Sequence, residues 1–488
     1  MSGEVLIDAV LLSIISQLRP GADLSRITLP TFILEPKSML ERITNFMQTP
    51  ETLLPLSTID DPTERFISVV RFYLSGWHIK PAGVKKPLNP CLGEFYTCYW
   101  NFPNNTQAYY ISEQTSHHPP KSSYFYMAPE HHIRIDGTLK PRSRFLGNSA
   151  ASMMEGIAVL RILNRGGPGG EKYLLTQPNM YVRGILFGKM KYELGDHSYV
   201  KSPELDLTAD IEFKTKGYFT GSYDAIGGYI RKESTGENLY ELSGKWNEEM
   251  WIKNLVTGQR ELLFDATHAQ ATPPSVRPIE EQEERETRRL WKPVVSALLK
   301  RDQQVATDEK FKIETRQREE AKARELDGVE WKPRFFREMT ADEEDSDLDF
   351  IIKTTVDGTT PEEQKKQILA IQPIFPGALW NNKYPIPPYH PHAAGTGEDC
   401  SLVNLADDAP APTSESDPLA ELANAQGIPA LIPTSAGIAP AGRIGDNVGL
   451  DNMKCLDARL PQPKGAGSAQ MENISLLDQD DGLVNVKK

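Results

Sequence analysis

Cysteine is scarce in this chain. Cys91, Cys98, Cys400 and Cys455 are the only four in 488 residues, and no two stand at a CxxC spacing. That excludes a disulfide framework and a thiolate zinc cluster. It suits a reducing compartment, where the sequons at Asn104 and Asn473 carry no weight. Basic charge is in short supply as well. A formal net charge of −13 argues against a nucleic-acid binder and against a globally basic, membrane-adhesive surface, while leaving room for a local basic patch. A bilayer-spanning helix needs roughly 20 apolar residues, and the N-terminal apolar run at 5–18 contains Asp8 and stops at Arg19-Pro20. With no secretory leader and no lipidation motif, the expectation is a cytoplasmic chain whose membrane contacts are transient. What is present suffices for a folded core: 39% of residues are hydrophobic and 25% charged, within the globular range.

Residues 4–19 read as a short helix. Ile7, Leu11, Ile14 and Leu18 form one stripe, and Val5, Leu6, Val10, Leu12 and Ile15 widen it. A helix apolar nearly all round must be covered. It is either an ordinary core helix or a hinged lid, with Arg19-Pro-Gly21 as the hinge and an extended piece at 29–35. A second helix is expected at 36–47, with Pro36 in its first turn. The third is the clearest. Asp61 caps it, Pro62 takes the first helical position, Glu64 follows, and Phe66, Val69, Val70, Tyr73 and Leu74 recur at helical spacing as core.

From about 93 to 264 the period changes to two. Ile133, Ile135, Gly137 and Leu139 alternate with His132, Arg134, Asp136 and Thr138, and Leu205 to Phe213 repeat the pattern. Turn signals recur at 165–170, 234–236 and 256–258. This is a long antiparallel meander, which predicts a closed barrel or a large sandwich. After 269 the chain turns helical and charged, with a break at Pro293 and a helix over 308–326. The acidic run 342–349 is expected to mark the edge of the folded unit. A further helix fits 361–371. Residues 396–488, rich in Ala, Pro, Gly, Asp and Ser, read as disordered.

Glu113-Gln-Thr-Ser-His-His-Pro-Pro120 is the most informative segment. His118 precedes a proline, so its backbone is extended. Neither proline can donate to a ladder, so the strand must stop there. Two adjacent imidazoles at a strand end offer a fixed site for a phosphate or a metal. Lys86 supplies a point charge on a proline-bounded loop, and Asn89 an amide donor. His117 and His118 offer ring N–H groups and can gain charge beside a dianion. Lys310, Glu314 and Arg318 stand four apart, about 40° between successive side chains, and form one helical stripe. On its own that stripe reads equally as a solvated, salt-bridged face.

The segment resembles the EQ[TV]SHHPP signature of the oxysterol-binding-protein-related lipid-transfer family. Lys85-Lys-Pro-Leu-Asn-Pro-Cys-Leu-Gly-Glu94, Gly147-Asn-Ser, Gly184-Ile-Leu-Phe-Gly-Lys189, the Lys310/Glu314/Arg318 stripe and Trp331-Lys-Pro-Arg-Phe-Phe336 follow in the family's order. Thr115 and Phe335 depart from its usual valine and tryptophan. The resemblance covers roughly 5–340. It implies an α+β fold dominated by β: a large antiparallel closed β-barrel enclosing a lipid tunnel, with an N-terminal helical lid and C-terminal helices. The domains expected are a lid at 1–29, the barrel with its helices at 30–340, an extension at 341–395 and a tail at 396–488. It also implies that Lys86, Asn89, His117, His118, Lys310, Glu314 and Arg318 bind phosphatidylinositol 4-phosphate at the barrel mouth, with no cofactor, metal or bond-making chemistry. A lid fits the energetics. About 0.8 kcal/mol per exposed methylene, over about thirty carbons, exceeds ~20 kcal/mol unless shielded.

Several stretches are most similar to the phosphatidylserine-transferring branch: Ile14-Ile-Ser-Gln-Leu-Arg-Pro-Gly21, Leu29-Pro-Thr-Phe-Ile-Leu-Glu35, Gly76-Trp-His-Ile-Lys-Pro-Ala-Gly-Val-Lys-Lys86 and Leu163-Asn-Arg-Gly166. The resemblance implies that Leu24, Ile27, Leu29 and Ser143 meet the serine headgroup, and that exchange takes place at contacts between endoplasmic reticulum and plasma membrane. Three alternatives stand beside this reading. One is sterol exchange, and another is a lipid sensor that binds without shuttling. The third is a metal hydrolase using His117, His118, His131 and His132, which lacks HExxH and a placed general base.

Overall fold

The computed structural model describes residues 31–81, 83–185, 190–217, 221–343 and 347–378. The expected N-terminal helix, hinge and lid, with Leu24, Ile27 and Leu29, and the tail at 396–488 lie outside the described residues.

The chain enters through β1 (Leu34–Ser38), followed by α1 (Met39–Arg42), a 3-10 run Ile43–Met47, α2 (Pro50–Leu53) and α3 (Pro62–Ser75). The helix expected at 36–47 is thus shorter, and Pro36 lies in a strand. β1 pairs in parallel with β2 (Lys86–Leu88) through Leu34↔Lys86 and Ser38↔Leu88, a register that skips Pro36. Its missing N–H is therefore not needed. α3 starts as its sequence dictates: Asp61 Oδ1 accepts the Thr63 and Glu64 N–H groups, both at 2.9 Å. It buries Phe66, Val69, Val70, Tyr73 and Leu74, each contributing about 1.5–3 kcal/mol if fully buried.

The alternating stretch forms one 13-stranded antiparallel sheet. Its strands are β3 (Phe95–Asn101), β4 (Gln107–His117), β5 (Pro120–Ala128), β6 (Ile133–Phe145), β7 (Ser149–Ile162), β8 (Glu171–Leu175), β9 (Asn179–Arg183), β10 (Lys191–Ser202), β11 (Leu207–Lys214), β12 (Ala225–Lys232), β13 (Asn238–Lys245), β14 (Glu249–Asn254) and β15 (Arg260–Asp265). Sequence neighbours are spatial neighbours, except that β8 and β9 both fill the gap between β7 and β10.

One face of this sheet carries a continuous apolar cluster from Tyr96, Trp100 and Tyr110 through Leu139, Leu160, Ile211 and Ile230 to Leu263, packed on the helices of 39–77. Two polar links pin α3 to that face. Tyr73 Oη donates to Ser198 Oγ at 2.7 Å, and Arg65 pairs with buried Glu171 at 2.5 Å. After β15 the chain crosses to the opposite edge of the sheet. Ser275 and Tyr99 exchange hydrogen bonds at 2.7 and 3.0 Å, the Phe95 N–H donates to the Arg285 carbonyl at 3.2 Å, and the Trp100 indole N–H donates to the Thr272 carbonyl at 2.9 Å. Among the described residues, closure runs through this strap at 272–286 rather than through a ladder between β3 and β15.

α4 (Thr287–Leu290) and α5 (Lys292–Leu299) divide at Trp291-Lys-Pro293, as the proline predicts, and α6 (Gln303–Leu326) follows. α6 begins five residues before the expected 308, because Asp302 caps it by accepting the Val305 N–H at 3.1 Å. The acidic run does not end the folded part. Asp349 bridges Lys121 at 2.5 Å and Lys140 at 2.8 Å. The chain then adds a hairpin, β16 (Phe336–Glu338) with β17 (Phe350–Ile352), and α7 (Pro361–Leu369). Phe335, Phe336, Phe350, Ile352, Ile368 and Ile371 cover the other face of β3 to β5 at Phe95, Tyr109, Ile111, Phe125 and Met127.

Candidate functional site

The two prolines end β4 at His117, and Pro120 opens β5 opposite it. The His118-Pro119 peptide is cis. The imidazoles of His117 and His118 lie with ring centroids 4.6 Å apart and nearly edge-on, at 68°. His117 is half-buried and His118 is exposed. Burial, and then the neighbouring His118, push the His117 imidazole down to about 4, so its resting form is neutral.

The loop at 85–94 is fixed from below by Glu94. Its buried carboxylate accepts from Ser38 Oγ (2.5 Å), Thr287 Oγ1 (2.8 Å), the Trp291 indole N–H (2.8 Å) and the Cys91 N–H (2.9 Å). Burial raises its pKa against those donors. Gly93 has φ +74°, and a Cβ there would stand 2.5 Å from the Trp331 ring, so the loop's turn requires glycine. Lys86, half-buried, opens β2, and Asn89 is exposed at the loop's outer bend.

α6 closes the third side. Lys310 Nζ holds Glu314 at 2.6 Å. Arg318 is exposed, donates to Thr315 Oγ1 at 2.9 Å and lies over the Phe311 ring. The stripe therefore forms, with its first pair locked together and its arginine turned to its own helix. Gln317 ties α6 to both other elements. It accepts the Leu92 N–H at 3.0 Å and reaches His117 Nε2 at 2.8 Å. Arg285 adds a second tie, donating to the Leu92 carbonyl at 3.1 Å and pairing with Glu320 of α6.

The histidine pair, the loop bearing Lys86 and Asn89, and the Lys310–Glu314 pair are thus assembled at one end of the sheet. Ser143 belongs to that same end but not to this cluster. It stands on β6 opposite Ser152, two strands from the histidines. Glu113, from the same signature, points away. Its buried carboxylate accepts the Arg334 and Phe335 N–H groups at 2.6 and 2.7 Å and so tethers the 331–336 block to β4. Burial raises it to about 7. Sequence reading missed Gln317 and the tethering roles of Glu94, Glu113 and Arg285. The only signal for Gln317 was its place one residue before Arg318 on a charged helix.

A wide sheet with an apolar inner face, and with imidazole, amide and ammonium groups gathered at one end, places the chain in the large antiparallel β class. Among the described residues no helix is long and apolar enough to cross a membrane. A family profile described as oxysterol-binding protein matches residues 13–297. Oxysterol-binding protein homolog 7 of Saccharomyces cerevisiae is 55% identical over 390 residues, 79% of this chain and 88% of that protein. The chain belongs to the oxysterol-binding protein family. Solved structures share its fold at 23% identity. The Osh1 ORD domain in complex with cholesterol has a TM-score of 0.61, covering 74% of this chain and 89% of that one. The Osh3 ORD in complex with PI(4)P, from Saccharomyces cerevisiae, has a TM-score of 0.55, covering 73% and 93%.

Proposed function

We propose that this protein moves lipids between membranes, exchanging phosphatidylserine for phosphatidylinositol 4-phosphate through one shared cavity. The carrying observation is the convergence of His117, His118, the Lys86–Asn89 loop and the Lys310–Glu314 pair at one end of an apolar-lined sheet. Recognition of a phosphomonoester needs several cationic or N–H donors aimed at one point, and this end of the fold supplies them. Arg318 joins when it leaves Thr315. Acyl chains would lie along the apolar face, and the serine headgroup would meet Leu24, Ile27, Leu29 and Ser143. No bond is made or broken. Two lipids competing for one space give exchange, and a gradient of one drives the other. Contacts between endoplasmic reticulum and plasma membrane are the setting this reading favours.

Phosphatidylserine rests on the branch-like stretches at 14–21, 29–35, 76–86 and 163–166. A sterol is the competing cargo, since a fold neighbour was solved with cholesterol. Native mass spectrometry of copurifying lipid separates the two, and a sterol would replace phosphatidylserine in the reading. In timed transfer between vesicles, Leu29→Asp should disrupt phosphatidylserine movement by setting a second carboxylate against that of the serine headgroup. Unchanged transfer would sink the branch assignment.

A further inference from the structure

Gln317 belongs to no motif, yet it joins two of the elements that carry them. Its Oε1 accepts the Leu92 N–H at 3.0 Å, which fixes the orientation of its amide. Nε2 is therefore the donor, and it points at His117 Nε2 from 2.8 Å. A donor there demands a lone pair on the imidazole, so the ring proton sits on Nδ1. That atom is buried toward the Pro90 carbonyl without a well-formed hydrogen bond. His118 faces the ring from its own strand end, and Glu314, held by Lys310, faces it from α6.

We propose that Gln317 is a positioning residue of the headgroup site, holding His117 in its Nδ1–H tautomer and clamping the 85–92 loop to α6 until a phosphomonoester displaces its amide. This rests on the headgroup reading above. A phosphate oxygen is an acceptor and meets a lone pair at the resting Nε2. His117 contributes a donor only once the ring proton moves to Nε2 or a second proton arrives, and either change releases Gln317. The same amide ties the loop that bears Lys86 to the helix that bears Lys310.

Two variants of the full chain separate the roles. Gln317→Glu keeps an acceptor for the Leu92 N–H but puts an acceptor against His117 Nε2. Nitrogen-15 NMR should then show His117 leaving the Nδ1–H tautomer and titrating higher than in wild type. Gln317→Ala removes both ties. Its extraction of phosphatidylinositol 4-phosphate from doped phosphatidylcholine vesicles should fall about three- to tenfold, with phosphatidylserine extraction held within about twofold. An unchanged His117 tautomer in Gln317→Glu overturns the proposal. So does unchanged phosphoinositide extraction in Gln317→Ala when His118→Ala abolishes it. If His118→Ala also extracts normally, the headgroup reading itself fails and takes this one with it.

Discussion

Strands β3 to β5 and strands β12 to β15 belong to one sheet but meet different constraints. The first group is buried on both faces, by the helices of 39–77 on one and by the 335–371 segment on the other. The second shows its outer face to solvent, with Tyr229 42% and Leu262 46% exposed. The histidine pair stands at the end of the doubly buried wall. A binding constellation is held best where backbone and side chains are packed from both sides. The cost appears as buried carboxylates. Burial raises Glu113 and Glu286 to about 7, and Glu94 is raised too. Each is offset by donors aimed at it, because an unsatisfied group there would be expensive.

The contrast can be broken most directly at Phe335, fully buried with its ring 5.2 Å from Phe95. Phe335→Ala should cost about 3–5 kcal/mol in denaturant unfolding, and a loss no greater than that of an exposed residue would show the outer cover to be dispensable. The next effect is pH-dependent. The folded state keeps the Glu113 proton to about 7, while the unfolded chain sheds it near 4.5. This carboxyl therefore withdraws stability as pH rises across that window, and the contribution is constant above it. His117 runs the other way, its depressed pKa adding stability as pH rises from about 4 to 6.5. The sign is thus read from the difference between wild type and Glu113→Gln: the variant's melting temperature should decline less between pH 5 and pH 7, conditions placed inside the titration range. An identical slope would mean that the buried carboxyl is ionised throughout. Smallest of all, Leu262→Ala on the open wall should change stability by no more than about 0.5 kcal/mol. A multi-kilocalorie loss would mean that this face, too, is covered.

Much of the sheet was legible in the sequence. Alternation located the strands because one-sided burial writes a period of two, and Asp61-Pro62 located α3 because capping is local chemistry. The prolines after His118 placed the end of β4 for the same reason. Pro36 misled because a proline suits either a helix start or a gap in an edge register, and only the partner strand decides. The start of α6 lay at Asp302, an N-cap hidden among other charged residues. Glu113 was part of the recognised signature, but its partner lies 221 residues away, a separation that no local pattern encodes. Gln317 was invisible for a related reason. Its two partners come from two other elements, and its own helix carries no apolar stripe to give it a direction.

The strap at 272–286 has a consequence for cargo. A cylinder stitched by a full ladder can widen only by tearing a row of backbone bonds. Here the seam along β3 is sewn at two isolated backbone bridges, Phe95 with Glu286 and Tyr99 with Ser275, while the strands of the sheet itself are joined by ladders. A change of girth to admit a bulkier tenant therefore concentrates at one side of the vessel, away from β10 and β11.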